Sequence, residues 1–210
     1  MGSDARAFRK IFPQKHIPPI LSSALQAGET LYKKTANDRE DWITRRLYFR
    51  LIRIPAFRDG PLDARLKPEI ISSYVDADTH VGEIDILVSC GLGYEVYFAI
   101  EAKRLRVRLS SGRLDSGNGK YVNNGMMRFV IGQYAPFMEA GAMLGYVYDG
   151  NTDKARTGID RYIQSKAKEL KLKPPMRLMR SGILPDKRVD ETWHDLRKRS
   201  FTIYHVFLAV

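Results

Sequence analysis

The sequence predicts one α/β domain: a mixed β-sheet flanked by helices. Three observations predict it. Residues 82–103 alternate apolar and charged side chains on both sides of a glycine-bearing turn, the two-residue period of paired strands. Residues 38–54 repeat apolar side chains at helical spacing and stop at Pro55. Residues 142–148 and 200–210 are short apolar runs separated by an amphipathic stretch, 152–170, as expected of strands and helices in one mixed sheet.

Composition sets the frame. The 210 residues suit a single domain with an appended arm. A chain that is 44% hydrophobic and 28% charged can bury a core. No apolar run is long enough to span a bilayer. The first twelve residues are basic and lack a long apolar stretch, so no secretory leader is expected and a cytoplasmic location is. Cys90 is the only cysteine, which excludes an internal disulfide and a thiolate zinc cluster. Lys and Arg number 35 against 24 Asp and Glu, a net charge of +11. That balance points to a polyanionic partner, nucleic acid first and an anionic membrane second. No glycine-rich phosphate loop is present, so a nucleotide hydrolase is not expected.

In chain order, residues 1–20 are basic, contain Pro13, Pro18 and Pro19, and read as an N-terminal arm before a single domain, 21–210. A helix from Leu21, after the Pro18-Pro19 break, carries Leu25, Leu31 and Tyr32 on one stripe. The next helix takes Asn37 or Asp38 as N-cap and buries Ile43, Leu47, Leu51 and Ile54, with Trp42 and Phe49 widening that face. Glu40 and Asp41 in its first turn complement the helix dipole. Residues 55–68 read as loop, Ile70 to Val75 as a strand, and Asp76 and Asp78 as turn acids.

The hairpin follows. Ile84, Ile86 and Val88, then Val96, Phe98, Ile100 and Ala102, share one face; Glu83, Asp85, Glu101 and Lys103 share the other. A turn centred on Gly93 sets Asp85 opposite Glu101 and Glu83 opposite Lys103. Two opposed acids repel unless a cation sits between them, and oxygen ligands suit magnesium or manganese. A solvated hairpin with a surface salt bridge is the competing reading.

After Lys103, Arg104, Arg106 and Arg108 lead into a loop rich in Gly, Ser and Asn that holds Arg113 and Lys120. A helix from Asn123 or Asn124 presents Met127, Val130, Ile131 and Tyr134 to the core, with Arg128 and Gln133 as polar members, until Pro136. A strand, 142–148, then lies parallel to the one ending at Lys103, after a helical crossover. A helix, 152–170, and a basic, proline-punctuated stretch, 171–200, precede a last strand that closes the sheet. His194 and His205 lack partners at ligand spacing and read as structural.

Asp85 followed by Glu101-Ala102-Lys103 at the end of the next strand resembles the PD-(D/E)XK, or restriction-endonuclease-like, nuclease superfamily. Ile84 stands where the family's leading proline would be. The resemblance implies a restriction-endonuclease-like core of helix, three antiparallel strands, helix and strand. It implies a Mg²⁺-dependent endonuclease acting on nucleic acid, DNA ahead of RNA, with Mn²⁺ substituting. Asp85, Glu101 and the Ala102 carbonyl would hold the metal, Glu83 would help hold a second ion or pair with Lys103, and Lys103 would orient the attacking water. Glu40 matches the acid many members carry on the helix before the sheet, with Asp41 its rival; the helix-dipole reading accounts equally for both. Gln133-Tyr134 is similar to the Gln near a Tyr that several branches carry after the E-x-K strand, and Gln133 would bond Lys103 or a phosphate. Arg104, Arg106, Arg108, Arg113, Lys120 and Arg128 would contact a phosphate backbone. Residues 125–134 are similar to nucleases of bacterial defence and mobile-element systems, which adds a homodimer or a larger defence complex to the expected partners, without a membrane. Two alternatives stand beside the enzyme: a catalytically silent binding module on the same fold, and an interaction subunit whose hairpin acids are merely solvated.

Overall fold

The computed structural model describes residues 11–36, 38–70, 82–91, 96–196 and 199–210. Helix α1, Ile17–Glu29, carries Pro18 and Pro19 in its first turn, where their missing amide hydrogens cost nothing. The prolines therefore start this helix rather than precede it. Phe12, Ile17 and Ile20 are core residues, so the domain takes in part of the segment expected to be an arm. Helix α2, Glu40–Leu51, buries Ile43, Leu47 and Leu51. Its N-cap position is Arg39. Asp38, just before, is buried and accepts the Lys34 and Thr35 amides at 2.8 and 3.1 Å; Asn37 lies outside the described residues. Trp42 and Phe49 do not widen the buried face: they are 47% and 48% exposed. Both lie more than about 90° round the helix from the 43–47–51 row.

Helix α3, Pro55–Arg58, and strand β1, Asp63–Leu66, occupy the segment expected to be loop. β2 is Glu69–Ile70; the rest of the expected strand to Val75, with Asp76 and Asp78, lies outside the described residues. β3, Gly82–Glu83, pairs with β2 in a separate ribbon, Glu69 opposite Glu83. β4, Ile86–Ser89, and β5, Phe98–Leu105, pair antiparallel with Ile86 opposite Ile100 and Val88 opposite Phe98, which is the expected register. The turn at Gly93 falls among residues not described. β6, Val107–Arg108, and β7, Leu114–Asp115, make a small hairpin inside the expected basic loop.

Helix α4, Asn118–Tyr121, a π turn, Val122–Met126, and helix α5, Met127–Val130, replace the single long helix expected from Asn123. Gly132 at φ +79° turns the chain away, so Gln133 and Tyr134 lie past the helix and Ile131 is exposed. β8, Ala140–Val147, helix α6, Thr152–Ser165, and β9, Met179–Arg180, follow. β10, Val189–Asp195, and β11, Ser200–Ala209, end the series.

The main sheet has seven strands in the order β1-β4-β5-β8-β11-β10-β9, with β5, β8 and β11 mutually parallel and the other pairs antiparallel. β11 does not close the sheet; it lies between β8 and β10. Helices cover both faces. Leu208 fills the space over Gly28 of α1, while Tyr121 of α4 stacks on His205 and Phe207 from the other side. β5 is consequently buried from Phe98 through Ala102, including Glu101.

Candidate active site

The site forms where two strands part. The β4–β5 ladder ends at Ile86 and Ile100. One residue earlier, Asp85 has turned to the other side: its carbonyl accepts the Lys67 amide at 3.0 Å. The edge of β5 beyond Ile100 has therefore lost its neighbour, and buried amides need partners. Asp85 Oδ2 accepts the Ala102 N–H at 2.8 Å, and Glu40 Oε2 accepts the Arg104 N–H at 2.9 Å. Two carboxylates stand in for the missing strand, one from β4's approach and one from the first residue of α2.

Lys103 ties the remaining acid to them. Its ammonium donates to Glu101 Oε1 at 2.7 Å, to the Ala102 carbonyl at 2.7 Å and to Glu40 Oε1 at 3.1 Å. Arg128 donates to Glu101 Oε1 at 3.1 Å and to the Tyr134 hydroxyl, which donates in turn to the Glu83 carbonyl. The structure thus gathers Asp85, Glu101, Ala102, Lys103 and Glu40 in one place. It does not bring Glu83 opposite Lys103: β3 pairs with β2, and the Glu83 carboxylate meets Lys67 at 2.8 Å. Gln133, past the end of α5, lays its side-chain amide against Gly82. Asp41 also pairs with Lys67, at 2.9 Å. Lys67 was not anticipated; it adopts φ +51°, in the left-handed region uncommon outside glycine, and so aims its ammonium at three acids, Asp85 at 3.9 Å among them.

Burial shapes the electrostatics. Asp85 is 7% and Glu101 1% exposed, while Lys103, Glu40 and Arg128 open the cluster toward solvent. Burial, and then the Asp85 charge, push the Glu101 carboxyl up to about 8. Burial likewise raises Asp85, against the pull of Lys103. Burial opposes the Lys103 ammonium, but Glu101, Glu40 and Asp85 outweigh it and raise its pKa. At neutral pH the cluster therefore keeps Lys103 charged and holds a further proton at Glu101. Among the described residues Glu101 Oε2 has no hydrogen-bond partner, which costs a buried oxygen about 1–3 kcal/mol or more.

Among the described residues, no three or more His, Cys, Asp or Glu side chains form a metal-holding group. A site of two carboxylates and one backbone carbonyl does not need a third acid. Asp85, Glu101 and the Ala102 carbonyl are hard oxygen donors, and a divalent cation would give the Glu101 oxygen the partner it lacks among the described residues. The Lys103 ammonium bonds two of these three groups, Glu101 and the Ala102 carbonyl, so the donor set fits a cation once Lys103 yields the carbonyl.

Most of the basic side chains expected to face phosphates are engaged within the chain. Arg104 donates to the Asp38 carbonyl at 3.2 Å, Arg106 grips Asp149 at 2.9 and 2.8 Å, and Arg108 donates to the Gly112 carbonyl at 3.0 Å. Lys120 pairs with Asp115 at 3.0 Å, and Arg128 with Glu101. Arg113 lies exposed on the β6–β7 hairpin. These pairs form because each base sits within reach of an acid or carbonyl that the hairpin and the neighbouring turns bring alongside.

A second buried polar cluster spans β10, β11 and α4. His194 Nδ1 meets the Leu170 carbonyl at 2.8 Å, Thr192 Oγ1 bridges His194 and His205 at 2.8 and 2.9 Å, and His205 Nδ1 meets the Tyr121 hydroxyl at 3.0 Å. Burial lowers both histidines, His194 to about 4. Both are buried and hydrogen-bonded within the fold.

Comparison with protein-family models, with curated proteins and with solved structures finds no match to this chain.

Proposed function

We propose that this chain is a metal-dependent nuclease that hydrolyses phosphodiester bonds, in DNA ahead of RNA, on a restriction-endonuclease-like core. One observation carries the reading: two buried carboxylates and a lysine converge where β4 leaves β5, with one carboxylate oxygen left without a partner among the described residues. Such a group is costly to the fold and is retained where it has work to do. The strand order β1-β4-β5-β8, with α2 before it and helical turns before β8, agrees with the helix–three strands–helix–strand arrangement.

Asp85, Glu101 and the Ala102 carbonyl would hold Mg²⁺, or Mn²⁺ in its place. The ion's contribution when bound is to polarise a phosphate oxygen and to acidify water. The chain's own residues do the rest. Asp85 is fixed by the Ala102 amide, so its second oxygen has a set direction. Glu40 holds the strand edge through the Arg104 amide and offers its other oxygen to Lys103. Lys103, charged and released from the Ala102 carbonyl, orients a water or meets the charge that builds on the phosphate. Arg128, fixed by Tyr134, balances the Glu101 charge.

A second reading has its own support. The Lys103 ammonium already donates to Glu101 and to the Ala102 carbonyl, as it would in a module that binds nucleic acid without cutting it. The two separate in one assay: supercoiled plasmid and single-stranded DNA and RNA, with Mg²⁺, Mn²⁺ or EDTA. The nuclease reading expects nicking with either metal, none in EDTA, and none from Asp85→Asn. Cutting that survives Asp85→Asn and Glu101→Gln alike removes the site; binding without any cutting selects the silent module.

A further inference from the structure

The basic side chains around the hairpin are largely engaged, and the outer face of α2 carries a second set of arginines, of which Arg39 and Arg45 are exposed. Trp42 and Phe49 stand seven residues apart on this face, 47% and 48% exposed. Seven residues advance about 10 Å along a helix and return to nearly the same side. Arg45 lies between the rings, Arg39 before them and Arg53 after them, all exposed, with the Arg53 guanidinium donating to the Phe49 carbonyl and so held beside that ring. On the flank, the Arg46 and Arg50 guanidinium groups lie 5.9 and 5.8 Å from the ring centre of Tyr32, which is 52% exposed. Rings therefore alternate with guanidinium groups over one continuous strip.

Large exposed rings at two helical positions do not serve the core, which α2 meets with Ile43, Leu47 and Leu51. They do not make a bilayer-inserting stripe either: the helix's apolar face is already packed inside, and each outer ring stands among arginines. Arginines spaced between flat rings suit a flexible polyanion whose bases are free to stack. In a duplex the bases are stacked on one another and closed to a ring standing above the surface. α2 also begins at Glu40, whose carboxylate touches Lys103 at 3.1 Å, so the candidate site lies at the end of the helix where Arg39 and Trp42 stand.

We infer that the outer face of α2 is a stacking platform for single-stranded nucleic acid, with Trp42 and Phe49 each taking a base and Arg45 and Arg53 meeting the phosphates between and beyond them. The inference deepens the nuclease reading and rests on it for the direction in which the strand runs, toward Asp85 and Glu101.

The test is anisotropy of a fluorescein-labelled oligothymidylate in EDTA, so that cutting plays no part. Trp42→Ala and Phe49→Ala should each weaken binding by about 5- to 100-fold, as base–ring stacking predicts. Ile131→Ala, at an exposed apolar position away from α2, should leave binding unchanged. In a Trp193→Phe background, the remaining Trp42 fluorescence should quench on titration. A duplex of equal length should bind more weakly and be indifferent to both ring substitutions. Because both rings are exposed, the variants should keep the wild-type urea midpoint; a variant with a shifted midpoint is replaced by Trp42→Gln or Phe49→Gln, and the same weakening is required. The platform is overturned if oligothymidylate affinity is unchanged by either ring, if the duplex binds as well as the single strand, or if anionic phosphatidylserine vesicles bind through the rings and the oligonucleotide does not. Failure of the nuclease reading looks different: the wild type would cut with neither Mg²⁺ nor Mn²⁺ while ring-dependent binding persisted.

Discussion

Two of the buried polar clusters on this sheet are built on opposite principles. In the Tyr121–His205–Thr192–His194 cluster every group is neutral and every ring nitrogen has a partner, ending on the Leu170 carbonyl. In the Asp85–Glu101–Lys103–Glu40 cluster the groups are ionisable acids and bases, and one carboxylate oxygen has no partner. The first arrangement lowers the cost of burying polar atoms and needs nothing further. The second buries its acids and crowds them so closely that Glu101 keeps a proton at neutral pH, and it leaves one Glu101 oxygen without a partner among the described residues, which is stable only because the rest of the fold holds it together. Satisfaction of hydrogen bonds, rather than residue type, separates the structural cluster from the candidate catalytic one.

The sharpest way to break this contrast is Glu101→Gln. It should lower metal-dependent cutting by about 100-fold or more, the scale of losing a group that organises charge in the transition state. It should also raise the urea midpoint in mildly alkaline buffer, because the repelling carboxylate is gone. A variant that loses stability and keeps cutting would show that the two clusters do not differ in kind.

Thr192→Val is the mirror experiment. It keeps shape but strips the hydroxyl shared by His194 and His205, leaving buried ring nitrogens unpaired. Unfolding free energy should fall by about 1–3 kcal/mol with cutting by the surviving folded protein unchanged. A loss of cutting larger than the loss of folded protein would assign this cluster a part in function.

The pH dependence should have opposite signs in the two places. Glu101 holds its proton more tightly folded than unfolded, so its contribution to stability is present below about 4.5 and is lost as pH rises through about 8. Asp85 acts in the same sense. The lowered histidines act the other way: their contribution is present above about 6.5 and is lost as pH falls through about 4 for His194. Each group titrating in only one state contributes a slope of about 1.4 kcal/mol per pH unit. The slopes partly cancel in the wild type at mildly acidic pH, so Glu101→Gln should show a steeper rise of stability from pH 5 to 6.5. Chemical denaturation across that range checks it, and an unchanged slope would argue against a buried proton at Glu101.

The smallest effect should come from Tyr134→Phe. It removes the hydroxyl that links Arg128 to the Glu83 carbonyl, without touching either acid. Cutting should drop by about 10-fold or less, through the orientation of Arg128, with KM and kcat resolved separately.

The register of β4 on β5, which brings Asp85 beside the end of the ladder, was legible because the alternation from Ile84 to Lys103 admits one pleat, and a one-residue slip would expose Ile86 and Ile100. Glu83 was misread because pattern alone extends a ladder for as long as the alternation runs. The strands part at Asp85 through pairing with Lys67 and Pro68, remote in sequence. β1 was invisible since Ala64 is its one buried side chain between Asp63 and Arg65. β10 looked like surface, yet Asp190 and Thr192 are buried, Asp190 against Arg156 at 2.6 Å and Thr192 between the histidines. The outer face of α2 was read inward because Trp and Phe are assumed to seek a core.

The central position of β11 bears on how the chain comes together as it is made. β8 must wait for more than fifty further residues before its parallel neighbour emerges, roughly 3–10 s at ribosomal speed. Until then its open flank is an apolar ribbon able to pair with other nascent polypeptides, and β9 and β10 have nowhere to dock. Pulse-labelled amide exchange should therefore find β8, β10 and β11 gaining protection together and last.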